Sequence, residues 1–484
     1  MPDSAKQFGL LDRTLSHLRG AWRDISASAR VKLSGAVRPD LPEDDAARLV
    51  PYMHECLKTR GGEVSARARA ADLGRTYLTL DKTGRKRFLR LLASEFDTDQ
   101  AAVDAAIAAV QRETDTEKRR RAEAALRRVL LPPRVILLRQ FNTLPEGIKF
   151  LVDLRADLLE LGKRDSLLRA LEADLKQLLA DWFDIGLLDL LRITWNSPAA
   201  LLEKLIAYEA VHEIRSWSDL KNRLDADRRW FAFVHPKMPD EPIIFIEVAL
   251  VDGMADNIQA LLDESAPRCD PNAVDTAIFY SISNAQPGLA GIGFGNFLIK
   301  RVVDELVHEL TGLKTFATLS PAPGFCAWLE SRLVVGGDDL VTPAEAKALA
   351  AHVGGAGGSE ALRRILDSSW RGDDKAVRLV RRPLMRLCAH YLLNEKRDNG
   401  QPLDPVARFH LINGARIGRI NWLADTSAKG LRESAGMMVN YLYLLDEIEK
   451  NHEAFSGEGK ITASTAVRAL LRGRPLGLAK PERD

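Results

Sequence analysis

The sequence predicts a multidomain protein, an all-α helical bundle over residues 1–180 followed by an α+β domain with a mixed β-sheet over 181–484. Three observations carry this. A length of 484 residues exceeds what one ordinary core fills. From about residue 8 to 180, apolar residues recur every three to four positions, the helical period. From Arg228 onward, runs rich in β-branched and aromatic residues, bounded by Pro, Gly and Asp, alternate with helical stretches.

The N-terminal helices are predicted in "DAARLVPYMHECLK", "GRKRFLRLLASEF", "AAVDAAIAAVQRE", "KRRRAEAALRRVLL" and "SLLRALEADLKQLLADWF", with Pro132-Pro133 interrupting the series. "RRWFAFVHP" (Arg228 to Pro236) and "EPIIFIEVALV" (Glu241 to Val251) read as two strands of a hairpin turning at "KMPD". "TAIFYSIS" (Thr276 to Ser283) is a third strand, Phe294 to Thr311 a helix and "KTFATLS" (Lys314 to Ser320) a fourth strand, a β-α-β crossover. Residues 342 to 398 read as a helical insertion broken by "GGAGGS" (Gly354 to Ser359). "ARFHLINGARIGRINW" (Ala407 to Trp422) is read as the last strand, and "SAGMMVNYLYLLDEIEKNHEAF" as helical.

Composition excludes several function classes. With 46% hydrophobic and 28% charged residues the chain has the makeup of a packed globular protein. A formal charge of +2 offers no field for nucleic acid or an anionic membrane, and the basic run Lys118 to Arg121 reads as a solvated helix face. Cys56, Cys269, Cys326 and Cys388 lie far apart, as in a reducing compartment. No apolar run approaches the roughly 20 residues that span a bilayer. The N-terminal stretch lacks a signal-like apolar segment, and Asp3, Asp12 and Asp24 argue against a transit peptide, so a cytoplasmic location is expected.

Three stretches carry candidate chemistry. In "SISNAQPGLAGIGFGNFLIKRVVDEL" (Ser281 to Leu306) a strand ends, four glycines (Gly288, Gly291, Gly293, Gly295) follow, and a helix begins. Backbone amides at such a loop and helix start can cradle a phosphate, and a tight strand-to-helix turn explains the glycines equally well. "TLSPAPGF" holds Ser320 at a strand end before two prolines, and His410 falls in "RFHL". An acyl-enzyme hydrolase is disfavoured because no G-x-S-x-G elbow occurs. No metal site is expected, since H-E-x-x-H is absent and His212-Glu213, His308-Glu309 and His452-Glu453 are isolated pairs.

Together, "FYSISNAQPGLAGIGFGNFLIKRVVDEL", "FATLSPAPGFCAWL", "LLNEKR", "DPVARFHLINGARIGRINWLADTS" and "MMVNYLYLLDEIEKNHEAF" resemble the malonyl-CoA decarboxylase family in order and spacing, over essentially the whole chain. The resemblance implies a helical N-terminal domain used for assembly into a homo-oligomer, dimer or tetramer, and a catalytic domain of the N-acetyltransferase (GNAT) fold. It implies malonyl-CoA as substrate and no cofactor. It assigns Ala290, Gly291, Ile292, Gly293, Phe294, Gly295 and Asn296 to the CoA diphosphate, Ser320 and His410 to catalysis, and Ser281 and Tyr443 to accessory roles near the reacting group. Where animal members carry a glutamate in "GxELG", this chain has Gly293. The implied mechanism has Ser320 holding the malonyl group while His410, titrating near its ordinary pKa, protonates the enolate. A GNAT-type acyltransferase is the alternative that the same stretches allow.

Overall fold

A computed structural model describes residues 22, 23, 25, 35–57, 62–293, 298–335, 340–355 and 357–472. Up to Trp182 the described elements are helices: Glu43–Leu57, Gly62–Thr79, Lys82–Glu95, Gln100–Arg112, Thr116–Val129, Pro133–Phe141, Gly147–Leu161 and Ser166–Trp182. Their starts are set by local chemistry. Asp81, Asp99, Asp115 and Asp165 each accept hydrogen bonds from backbone N–H groups of the first turn that follows. Pro133 opens its helix at a position where a missing N–H costs nothing. Inside, Trp22 packs on Phe141 and Phe150, and Tyr77 packs on Phe88 and Phe150.

The second half is built on one eight-stranded mixed sheet: β1 Asp189–Ile193, β2 Arg228–His235, β3 Met238–Val251, β4 Thr276–Asn284, β5 Thr315–Thr318, β6 Ser320–Pro321, β7 Arg416–Asn421 and β8 Met438–Leu442. The order is β1-β2-β3-β4-β5-β8-β6, with β7 also on β8. β1 to β4 form an antiparallel meander, and β4 and β5 are parallel, joined by a crossover through the helix Leu298–Glu309. The period-2 alternation explains the packing: Phe231, Phe233, Ile244, Ile246, Val248 and Phe279 face that helix, and Trp230, Ala232 and Phe245 face the helices Ala199–Tyr208 and Trp217–Arg223 on the other side.

The apolar core of the N-terminal helices is continuous with the first of these faces. Contact is direct at the glycine loop. Arg155, on the helix Gly147–Leu161, donates to the Gly288 carbonyl at 2.6 Å and holds Glu172 at 2.7 Å. A Cβ on Gly288 would lie 1.8 Å from the Val152 carbonyl oxygen.

Two expectations are corrected. The stretch from Ala407 is not one strand: Pro405–Ile412 is a helix, and the strand begins at Arg416. The Asp404 side chain caps that helix through Val406 and Ala407, Pro405 fits its first turn, and Gly414 at φ +82° ends it. "MVNYL" is not helical but the central strand β8, paired with β5, β6 and β7 and buried on both faces, so its apolar residues run without alternation. The helix resumes at Ile448–Glu458. The helix expected from Phe294 is described from Leu298, and Phe294, Gly295 and Asn296 lie outside the described residues. β1 and the helices at 199–208 and 217–223 were not anticipated. The helices Pro343–Val353, Gly358–Leu366 and Asp374–Asn394 occupy the expected 342–398 region.

Candidate active site

β4 and β5 pair from Thr276 with Thr315 to Phe279 with Thr318, and one further bond joins Leu319 N–H to Phe279 C=O at 2.9 Å. There they part. β4 runs on to Asn284 beside β3, whereas Ser320 crosses to pair with Val439 of β8. Beyond Phe279 the β4 edge is thus no longer paired with β5. Asn440 fixes the parting from below: its side-chain amide donates to Thr318 C=O at 2.7 Å and Ala255 C=O at 3.0 Å, and its oxygen accepts from Arg419 and Asn421.

Ser320 meets His410 at this point. Its Oγ lies 3.0 Å from His410 Nε2, and His410 Nδ1 lies 2.8 Å from Tyr443 Oη. All three side chains are buried, and the imidazole stacks on Tyr441 at 4.4 Å with planes 26° apart. His410 stands in the last turn of its short helix, which is anchored by Asp404 through its cap and through Tyr391 Oη at 3.2 Å.

Burial pushes the His410 pKa down to about 3 and the Tyr443 pKa well above the ordinary phenol value. This corrects the expectation of a histidine near its normal pKa: the imidazole is neutral at neutral pH. It carries one ring proton, so one nitrogen donates and the other accepts along the line Ser320–His410–Tyr443.

Ser281 joins a different group. Its hydroxyl lies 2.9 Å from each carboxylate oxygen of Glu209, which also accepts from Ser283 at 3.1 Å and from the Val211 and His212 N–H groups at 2.7 Å. Behind them Glu247 is fully buried beside Arg223, and burial first, then the Glu209 charge, pushes its carboxyl up to about 8. Among the described residues no hydrogen bond links Ser281 to Ser320 or His410.

The glycines divide by role. Gly288 is packed against the helical region, Gly291 sits at φ +72°, where a side chain would be strained, and a Cβ on Gly293 would meet nothing within 4 Å among the described residues. Ala290 and Ile292 lie between them, at the end of the loop's described part. Sequence reasoning missed Glu209, Asn440, Asp404 and Tyr441. Only Asp404 carried a local signal, an aspartate before a proline at a helix start. Among the described residues no group of three or more His, Cys, Asp or Glu side chains could hold a metal ion, and the four cysteines are free.

Comparison with known proteins agrees along the chain. Residues 96–183 match the malonyl-CoA decarboxylase N-terminal domain and residues 186–480 the malonyl-CoA decarboxylase C-terminal domain. A relative from Anser anser anser, named malonyl-CoA decarboxylase, mitochondrial, is 37% identical over 95% of this chain and 94% of its own. One of the same name from Mus musculus is 38% identical over 96% and 97%. The crystal structure of malonyl-CoA decarboxylase from Rhodopseudomonas palustris superposes with a TM-score of 0.80 at 42% identity, over 87% of this chain and 99% of that one. That of the Agrobacterium vitis protein gives 0.78 at 40% identity, with the same coverage. With both domain types matched in order and the likeness extending over nearly the full length of the relatives, this chain belongs to the malonyl-CoA decarboxylase family.

Proposed function

We propose that the protein is a carboxy-lyase that converts malonyl-CoA to acetyl-CoA and CO2, with Ser320 and His410 as its catalytic pair. The observation that carries this reading is the buried line Ser320–His410–Tyr443 at the point where β4 and β5 part. When CO2 leaves, the electron pair of the broken C–C bond stays on the α-carbon and is delocalised into the thioester carbonyl as an enolate. The substrate is its own electron sink, so the reading requires no cofactor. The protein must hold the carboxylate out of the thioester plane, donate hydrogen bonds to the developing oxyanion and protonate carbon.

A neutral His410 suits the last step. The α-carbon of a thioester is a far weaker acid than a serine hydroxyl or a neutral imidazole N–H, so its enolate takes a proton from either. Ser320 Oγ–H gives its proton to the α-carbon, His410 Nε2–H reprotonates Ser320, and Tyr443 Oη–H, directed at Nδ1, replaces the proton on the imidazole. The one proton consumed per turnover is drawn overall from solvent. A neutral donor also leaves the substrate carboxylate unpaired before reaction, so its charge is relieved as CO2 departs.

The GNAT assignment belongs to the same proposal. It is supported by the parallel β4–β5 pair that separates, the strand, glycine loop and helix that connect the pair, and the irregularity at Tyr280, where Glu247 pairs with Ser281 and Val248 with Phe279. We read residues 290–296 as the CoA diphosphate loop on the resemblance, and residues 1–180 and 181–484 as two domains with the first used in assembly. Assembly is supported by the pair of helices Gln100–Arg112 and Thr116–Val129, which bury Val103 alone, and by the neighbouring exposed Leu130, Leu131 and Ile136. The cytoplasmic location is part of the same reading. Among the described residues no helix is long and apolar enough to cross a membrane.

Incubation with malonyl-CoA and no acceptor tests the function. Acetyl-CoA and CO2 in equal amounts are expected, and an absolute requirement for an added amine would replace the lyase with an acyltransferase.

A further inference from the structure

We infer that Glu209 is a positioning residue that turns the Ser281 hydroxyl into a hydrogen-bond acceptor for an amide N–H of the CoA pantetheine arm. This rests on the proposed reading of the place where β4 and β5 part as the CoA site, and it moves Ser281 from the acyl group to the arm that carries it.

An ionised carboxylate can only accept, and both Glu209 oxygens lie 2.9 Å from Ser281 Oγ, so the one proton of that hydroxyl is committed to Glu209. The carboxylate is itself fixed, because the Val211 and His212 N–H groups bond to Oε1 at 2.7 Å. Ser283 shows the completed version of the same arrangement: it donates to Glu209 at 3.1 Å and accepts from Ala210 N–H at 3.4 Å. Among the described residues no backbone N–H donates to the Ser281 hydroxyl, and its one further hydrogen-bond contact is with Ser283 Oγ at 3.4 Å. It is 1% exposed and stands on β4 two residues beyond Phe279, where pairing with β5 has ended.

A buried oxygen with vacant lone pairs beside an unpaired strand edge asks for a donor. Around the thioester of malonyl-CoA the carboxylate and the carbonyl oxygen accept only; the donors of the pantetheine arm are its two amide N–H groups and the pantoyl hydroxyl, and the amides lie nearer the thioester. A serine acting on the malonyl carboxylate or the enolate oxygen would have to donate, and Ser281 has no proton left for that.

Glu209→Gln tests the polarity directly. Its carbonyl oxygen can keep the Val211, His212 and Ser281 bonds, while its NH2, in place of Oε2, now donates to Ser281 and occupies the lone pair that the carboxylate leaves vacant. Calorimetric titration with CoA and with 3′-phospho-ADP, which lacks the pantetheine arm, reads the result. We expect the Kd for CoA to rise roughly tenfold in Glu209→Gln and in Ser281→Ala, with the double variant no weaker than the worse single one. The Kd for 3′-phospho-ADP is expected to be the same in all. Equal loss on both ligands, additive losses in the double variant, or unchanged CoA affinity in either single variant overturns the inference. Malonyl-CoA turnover is measured separately: an inert parent protein that still shows the CoA-specific loss contradicts the decarboxylase reading and leaves this one standing. In an active enzyme the variants are expected to raise KM more than they lower kcat. A fall in kcat alone would return Ser281 to the acyl group and overturn the assignment.

Discussion

His410 shows how one residue's surroundings decide its chemistry. Its neighbours are Ser320, Tyr441 and Tyr443, none of them charged at neutral pH, and burial alone lowers its pKa. Two outcomes follow if it relays a proton while neutral. Replacing it with Asn should lower kcat by roughly 10²-fold or more, the usual contribution of a positioned acid or base. The kcat of the parent enzyme should also be flat between about pH 5.5 and 7.5, because no histidine limb falls near the ordinary value of about 6.5. A kcat profile with an inflection between pH 6 and 7 that is absent from His410→Asn would show the imidazole titrating normally and sink the neutral relay. Stability has its own pH dependence. A histidine held neutral in the fold binds its proton only when unfolded, so stability is lost as pH falls from about 6.5 toward 3. Glu247 acts in the opposite sense: its raised carboxyl stays protonated in the fold, and its contribution is lost as pH rises from about 4.5 to 8.

At the scale of the element, the glycine loop separates two kinds of glycine that the sequence presents alike. Gly288 touches backbone of a helix more than 120 positions earlier in the chain, and an added methyl would collide with the Val152 carbonyl oxygen; a methyl on Gly293 would meet nothing within 4 Å among the described residues. Gly288→Ala should therefore cost about 1–3 kcal/mol or more by overpacking and lower Tm by several degrees. Gly293→Glu, which introduces the acid that the resemblance implies for animal members, should melt as the parent does. Equal melting of the two variants in a thermal scan would contradict this geometry. The same loop shows how far elements were legible. Strands β2 to β5 were readable as short runs of β-branched and aromatic residues bounded by Pro, Gly and Asp, although β2 to β4 are buried on both faces, and the N-terminal helices were readable from their three-to-four-residue apolar period. β8 was not, because no Gly or Pro separates its five residues from the helix that follows at Ile448, and the joined apolar run matches a buried helix equally well. The His410 helix was obscured by its eight-residue length and by the strand that follows within four residues. Ser320, His410 and Tyr443 came together through a resemblance, whereas Glu209 had no local signal: its partners lie 72 and 74 positions away on β4.

For the whole molecule, the helical half and the sheet half are joined by more than a linker. One buried apolar cluster runs from Leu137 and Leu154 in the helices through Phe183 and Leu188 to Phe231, Ile246 and Leu298. Arg155, 1% exposed, adds a polar tie by holding Glu172 and the Gly288 carbonyl together, so the loop assigned to CoA rests on the N-terminal helices. A fragment beginning at residue 181 would expose the apolar face that these helices cover and lose the support under Gly288. Large exposed apolar surface drives association, and a core cut in two loses cooperativity. The fragment 181–484 expressed alone should accordingly be aggregated or melt without a cooperative transition, and co-expression with 1–180 should recover a soluble complex that binds CoA. Light scattering and calorimetry read both results. A monodisperse fragment with the parent's Tm and CoA affinity would show that the helices serve assembly alone; dependence on the helices would make them part of the substrate site's foundation.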